Sequence, residues 1–235
     1  MRAMGELRGF VVGAAALLLA SCGSLVPGGS ASQTARAPAR SSVPVASAPQ
    51  SYAPRPVDAS CLADLGASGA RFQPLPDSYA GPGCNKLGTV QLMALAGDRS
   101  PLSIANIGPV QCHVAKAFGD WARFGVDRAA RQILGSPVAR IETMGSYSCR
   151  NVAGTERRSA HASAQAIDVS AFVLADGRRI VVRNDWQSGD AASREFLRVV
   201  HKSACKRFGT VLGPEYNAAH EDHFHLEGTG GTFCR

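Results

Sequence analysis

Histidine is scarce in this chain, six in 235 residues, and three of the six stand in one stretch, HEDHFHLE, from His220 to Glu227. The helical zinc-protease pattern HExxH would need a second histidine at position 224, where Phe224 stands. The i, i+4 geometry is therefore the wrong template. Read as a strand, the stretch turns His223 and His225 to one face and Phe224 and Leu226 to the other. Glu221, Asp222 and Glu227 stand among these histidines and can orient their ring nitrogens, Asp222 being the strongest of the three.

A second stretch, RSAHASAQAIDVSAF, holds His161 and, seven residues on, Asp168. Strand alternation puts Asp168 on one face with Ala166 and Ser170, and sends Ile167 and Val169 to the core. A carboxylate among small residues leaves room for something to approach. His161, Asp168 and His225 together offer two imidazoles and one carboxylate. Catalytic zinc takes three such protein ligands and activates water for hydrolysis near neutral pH. His223, on the strand face of His225, can reach that water without ligating, and His220 can approach from the preceding loop.

The motifs resemble those of a known group. Ser159-x-His161-x-x-Ala164-x-Ala166-x-Asp168 resembles the SxHxxGxAxD motif of the LAS metallopeptidases, which include lysostaphin-type enzymes, D-alanyl-D-alanine peptidases and the hedgehog domain. His220-x-x-His223-x-His225 resembles the closing motif of the penicillin-insensitive murein endopeptidases. More closely, GSYSCRNV, HASAQAIDVSAF and the terminal DHFHLE resemble the bacterial extensin-like C-terminal domain family, over roughly residues 61–234. The resemblance implies a zinc site of His161, Asp168 and His225. It implies His223 as catalytic base or transition-state stabiliser, with His220 assisting and Ser159 supporting the site or the substrate. Asp222 competes with His223 for the base role, because D-alanyl-D-alanine dipeptidases place a catalytic Glu three residues before the last ligand; His223 is the favoured choice. The substrate implied is the peptide cross-link of peptidoglycan, cut by an endopeptidase or a carboxypeptidase. A catalytically silent zinc-containing wall-binding or structural lipoprotein is the alternative. The main departure is Ala164, where the motif has Gly, a change that matters if the position needs positive φ.

Arg150, Arg157 and Arg158 flank the first motif and can clamp a peptide carboxylate, Arg158 being the candidate carried forward. His113 and His201 fall on expected helices and read as ordinary helix-face residues. No Ser-His-Asp order, Gly-rich phosphate loop or aromatic-basic nucleic-acid motif is present.

The elements that must position these residues read as an α+β fold, a small antiparallel sheet with flanking helices, LAS/hedgehog-like by resemblance. Residues 58–83 read as loop with short elements. Pro109 suits a helix start, followed by the apolar stripe Val110, Val114, Phe118 and Trp121. Strands are expected over 138–144, 166–173, 179–182, 210–212 and 222–226, with Asp176-Gly177 as a hairpin turn. Leu197, Val200, Ala204 and Phe208 mark a second helix, stopped by Gly209.

The chain begins with Arg2, Arg8 and the apolar run 10–20, a secretory signal over 1–21 too short to span a bilayer stably. The run ends Leu19-Ala20-Ser21-Cys22. This resembles a lipobox whose Cys22 is lipidated, an ordinary signal cut near Ala20 being the alternative. Gly23 after the cysteine resembles outer-membrane sorting, facing the periplasm. Residues 22–57 are rich in Ala, Ser and Pro and read as a flexible tether to a domain over 58–235. The remaining cysteines, Cys61, Cys84, Cys112, Cys149, Cys205 and Cys234, form an even set and read as three disulfides of an exported domain. Their pairing is open in sequence; loop proximity suggests Cys61–Cys84 and Cys205–Cys234. The net charge of +7 suits an anionic cell envelope, and an exported lipoprotein is a poor partner for nucleic acid.

Overall fold

The computed structural model describes residues 56–228 and 232–235. The expected signal, Cys22 and nearly all of the expected tether lie outside the described residues. Among the described residues no helix is long and apolar enough to cross a membrane.

The chain opens with helix α1 (Pro56–Ala67), followed by strands β1 (Arg71–Pro74), β2 (Ser78–Gly81), β3 (Cys84–Lys86), β4 (Thr89–Ala96), β5 (Pro101–Ala105) and β6 (Val110–Gln111). Helix α2 (Cys112–Trp121) runs on through two wide, π-helical stretches, Ala122–Asp127 and Ala130–Leu134. Then come β7 (Val138–Gly145), a 3-10 turn (Ala160–Ser163), β8 (Ala166–Leu174), β9 (Arg179–Val181), α3 (Val182–Ser188) and α4 (Ala191–Ala204). The chain closes with β10 (Thr210–Leu212), a second 3-10 turn (Ala218–His220), β11 (Phe224–Glu227) and β12 (Phe233–Cys234).

Ten strands form one sheet in the order β1-β4-β5-β7-β8-β11-β10-β12, with β6 on β4 and β9 on β8. The pairings are antiparallel except β5 with β7 and β10 with β12. β2 and β3 make a separate hairpin. The α+β expectation holds, but the sheet is large, not small. The difference lies in the first third of the domain, of which residues 58–83 read as loop with short elements and 84–108 carried no assigned element. There β4, TVQLMALA, is buried along most of its length. Its continuous apolar run carries no period-2 signal, and such a run is ambiguous between strand and buried helix. α1 also went unread; Cys61 ties it to the first residue of α2.

Helices α1, α2 and α3 pack against strands of this sheet, at β1, β4 and β8 respectively. Trp121 is fully buried at the centre of the packing: its Nε1–H donates to the Val200 carbonyl at 2.9 Å, and its ring meets Phe118, Phe172 and Phe208. The expected stripe Val114, Phe118 and Trp121 is buried as read. Pro109, however, does not start the helix: Val110 is in β6, and α2 begins at Cys112. The second helix begins at an Asp190 cap, whose carboxylate accepts the Ser193 N–H at 2.7 Å. It ends at Ala204, and Phe208 packs into the core from the turn beyond.

Three disulfides brace the fold: Cys61–Cys112, Cys84–Cys149 and Cys205–Cys234. The last is the pair that loop proximity suggests. Cys61–Cys84 is not formed, because α1 packs on α2 while β3 lies beside the turn that carries His161. Cys84 is thereby brought to Cys149, 65 residues away, at the foot of the 150–158 loop.

Candidate metal centre and cleft

β8 lies in the middle of the sheet, paired with β7 on one side and β11 on the other. On β11, Leu226 pairs with Ile167 and Phe224 with Val169, and all four are fully buried. That apolar ladder fixes the register, because a one-residue slip would turn the set to the wrong face. With register fixed, His225 stands directly opposite Asp168, and Gly145 of β7 stands on Asp168's other side.

His161 arrives separately, on the 3-10 turn. Ser159 caps this turn, its Oγ accepting the His161 backbone N–H at 3.4 Å. The turn closes at Ala164, whose φ of 56° and ψ of 31° lie in the left-handed region. This is the position where the resembling motif has Gly, and here an alanine adopts the conformation that glycine adopts freely.

The three side chains converge. His161 Nε2 lies 3.1 Å from Asp168 Oδ2, His225 Nδ1 lies 2.9 Å from Asp168 Oδ1, and the two ring nitrogens are 3.2 Å apart. One donor atom from each lies within 4.8 Å of the others. The opposite ring nitrogens explain why. His161 Nδ1–H donates to the Ser146 carbonyl at 3.2 Å, which leaves Nε2 as a lone pair. His225 Nε2 faces Glu227 Oε2 at 3.4 Å, which leaves Nδ1 toward the cluster. With both rings neutral, two lone pairs and a carboxylate, all less than a tenth exposed, face one point. Such a donor set fits a divalent cation.

The electrostatics agree with that fit. Burial opposes the charge on Asp168, but the His161 and His225 rings outweigh it and hold the carboxyl well below the usual range. Burial likewise opposes charge on His225, but Asp168 and Glu227 raise its pKa to about 9. In the metal-free protein a proton therefore occupies part of the place that the donor set offers a metal.

His223 does not join the three at bonding distance. Its Nδ1 lies 2.8 Å from Asp222 Oδ1, and its Nε2 lies 3.5 Å from Asp168 Oδ1. Asp222 thus backs His223 from the side away from the cluster. Arg183, which carried no signal in sequence, ion-pairs with Glu221 and approaches Asp222 at 3.9 Å. Of the three acids expected to orient histidines, Asp222 and Glu227 lie against rings and Glu221 pairs with Arg183 instead. His220 packs beside His223 and His225, and its pKa is pushed down to about 4, by burial first and then by those two rings.

An open cleft of about 230 Å³ runs over the cluster, lined among others by Arg150, Arg157, Ser159, Tyr216, His220 and His223. Neither Arg150 nor Arg157 forms a side-chain ion pair with an acid among the described residues. Arg158 is directed elsewhere: its guanidinium donates to the Pro82 carbonyl and to Asn151 Oδ1, each at 3.0 Å. Arg158 thus ties the 150–158 loop to the β2–β3 hairpin, and the cleft cations are its two neighbours. His113 and His201 lie on α2 and α4, away from the cluster. His201 is near Cys205 and Cys234, but those sulfurs are joined to each other and are not thiolate ligands. Ser146 and Asn217, which hold His161 and His220, gave no sign in sequence, since a carbonyl contact and a turn asparagine leave no motif.

The model of the family described as Extensin-like protein C-terminus matches residues 59–235. No curated protein and no solved structure matches the chain.

Two outcomes follow from this geometry. Ala164→Gly relieves a left-handed alanine in a buried turn, and the urea unfolding midpoint is expected to rise by an equivalent of about 1 kcal/mol; an unchanged or lower midpoint counts against the strain. His225 carries its proton below about 9 in the metal-free protein. A divalent ion must displace that proton, so its affinity is expected to rise about tenfold per pH unit between pH 6 and 8. Calorimetry in buffers of different ionisation enthalpy should show about one proton released per ion at pH 7. Binding that is indifferent to pH would contradict the assignment of His225 as a ligand.

Proposed function

The chain belongs to the extensin-like protein C-terminus family, and from that footing we propose that it is a zinc-dependent peptidase acting on the peptide cross-links of peptidoglycan. The proposal includes kinship with the LAS metallopeptidases, suggested by the SxHxxxxAxD and HxxHxH spacings. It also includes export as a lipoprotein anchored through Cys22, in the outer membrane and facing the periplasm. The three disulfides suit such an oxidising compartment.

One observation carries the reading. A buried donor set for a cation, His161 Nε2, Asp168 and His225 Nδ1, lies at an open cleft beside a histidine–aspartate pair outside the donor set. A structural metal site has no use for that adjacent pair. Zinc, when bound, polarises a carbonyl and makes water a competent nucleophile near neutral pH. The protein's own groups supply the rest. Asp222 accepts the Nδ1–H of His223, which leaves Nε2 as the nitrogen that can take a proton and return it to the leaving amine. This arrangement supports His223 over Asp222 as the base, because Asp222 stands behind the ring. Arg150 and Arg157 offer their guanidinium groups to carboxylates of the bound peptide. Peptidoglycan peptides carry such carboxylates, which bears on the substrate class.

The test is a digest. Purified protein, disulfides intact and supplied with zinc, is incubated with cross-linked peptidoglycan, and the fragments are separated by mass. Wild type is expected to convert cross-linked dimers to monomers, or to release a terminal alanine if it is a carboxypeptidase. His223→Ala is expected to keep zinc and lose about 100-fold or more in rate, whereas His225→Ala loses zinc. Equal zinc loss in both variants would sink that division of roles. Zinc binding with no change in the fragments would favour the silent wall-binding reading.

A further inference from the structure

His220 lines the cleft, and its hydrogen bonding fixes which way its ring is polarised. Asn217 caps the 3-10 turn that carries it, and Asn217 Oδ1 lies 3.1 Å from the Ala219 backbone nitrogen. A backbone N–H can only donate, so the atom facing it is the amide oxygen and not the amide nitrogen. The same Oδ1 lies 2.7 Å from His220 Nδ1. An oxygen can only accept, so His220 Nδ1 carries the proton. The neutral ring then has a bare lone pair at Nε2, which has no hydrogen-bond partner among the described residues. Tyr216 packs edge-on against the ring at 5.4 Å and holds it in place. The Tyr216 turn is itself pinned, its N–H donating to Gly213 O while Gly213 N–H donates to Arg235 O beside the Cys205–Cys234 bridge.

The contrast with His223 gives this polarity a meaning. Asp222 backs His223 with a carboxylate, an acceptor that carries charge. Asn217 backs His220 with a neutral amide, which sets the tautomer and adds no charge. The two rings are thus oriented by different kinds of partner, and the one held by the amide presents a bare Nε2.

We propose that Asn217 is a positioning residue that locks His220 as a hydrogen-bond acceptor for a peptide N–H of the substrate. The proposal rests on the peptidase reading for the identity of the substrate, but not for the tautomer. It gives the cleft a donor-seeking point in addition to the anion-seeking Arg150 and Arg157, so that a peptide is read by both its N–H and carboxylate groups.

The experiment uses the zinc-loaded full chain and purified cross-linked muropeptide dimers as probe. Long-range proton–nitrogen correlation spectra of the histidine rings are recorded for wild type, Asn217→Leu and Asn217→Asp, with His220→Gln to assign the signal. Wild type is expected to show a protonated Nδ1 and a bare Nε2 at His220, and the Nε2 signal is expected to move when the dimer is added. Asn217→Leu removes the acceptor and should mix the two tautomers and lower kcat about tenfold, with zinc affinity unchanged. Asn217→Asp restores the oxygen and should recover the Nδ1–H tautomer, which guards against a mere failure of the leucine variant to fold. A protonated Nε2 in wild type, an Nε2 signal unmoved by dimer, or full turnover in Asn217→Leu would each overturn the proposal. A dimer that shifts Nε2 but is never cleaved would overturn the peptidase reading and leave the Asn217–His220 assignment standing.

Discussion

The fold is organised around one buried charge. Asp168 stands on the central strand of the sheet, 8% exposed, where an unpaired carboxylate would cost several kcal/mol. The His161 and His225 rings face it at hydrogen-bonding distance, and the third, His223, lies a little farther off. Holding those rings in place is what much of the remaining structure does. The Ile167–Leu226 and Val169–Phe224 ladder fixes the register that sets His225 opposite the carboxylate. The capped turn closed by Ala164 delivers His161 from outside the sheet. The left-handed alanine there is consistent with strain tolerated where a side chain must be aimed.

Each histidine around the cleft has its own oxygen behind it, and the type of oxygen differs. Neutral oxygens hold His161 and His220, from the Ser146 carbonyl and the Asn217 amide. Carboxylates hold His225 and His223, from Glu227 and Asp222. Either partner fixes which ring nitrogen carries the proton, but only the carboxylate brings a negative charge to the ring. Four copies of one side chain thereby acquire different chemistry. The cleft cations add a further division, since Arg150 and Arg157 remain available to solvent-borne anions while Arg158 braces the loop.

What could be read from the sequence follows from how local each signal is. β8, β10 and α4 were legible because their apolar spacing repeats within a few residues of itself. The histidines and Asp168 stood out by type and spacing. That Asp168 would face His225 across a strand pair was legible only as two separate alternations, because register is set by the partner strand. The first third was not legible: α1 has no marked apolar stripe, and β4 is buried along most of its length and lacks alternation. The cysteine pairing Cys84–Cys149 depends on long-range packing that no spacing encodes. Ser146 contributes a backbone carbonyl, which any residue type would supply, so its role leaves no trace in composition.

The central claim is that His161, Asp168 and His225 form a metal centre with one position open to the cleft. Crystals of the zinc-loaded protein, measured on both sides of the zinc absorption edge, test it most directly. The account requires one strong anomalous peak bonded to His161 Nε2, an Asp168 oxygen and His225 Nδ1, with no fourth protein ligand and His223 still held by Asp222. A peak elsewhere would contradict it, and so would a closed site in which His223 Nε2 turns in as the fourth ligand.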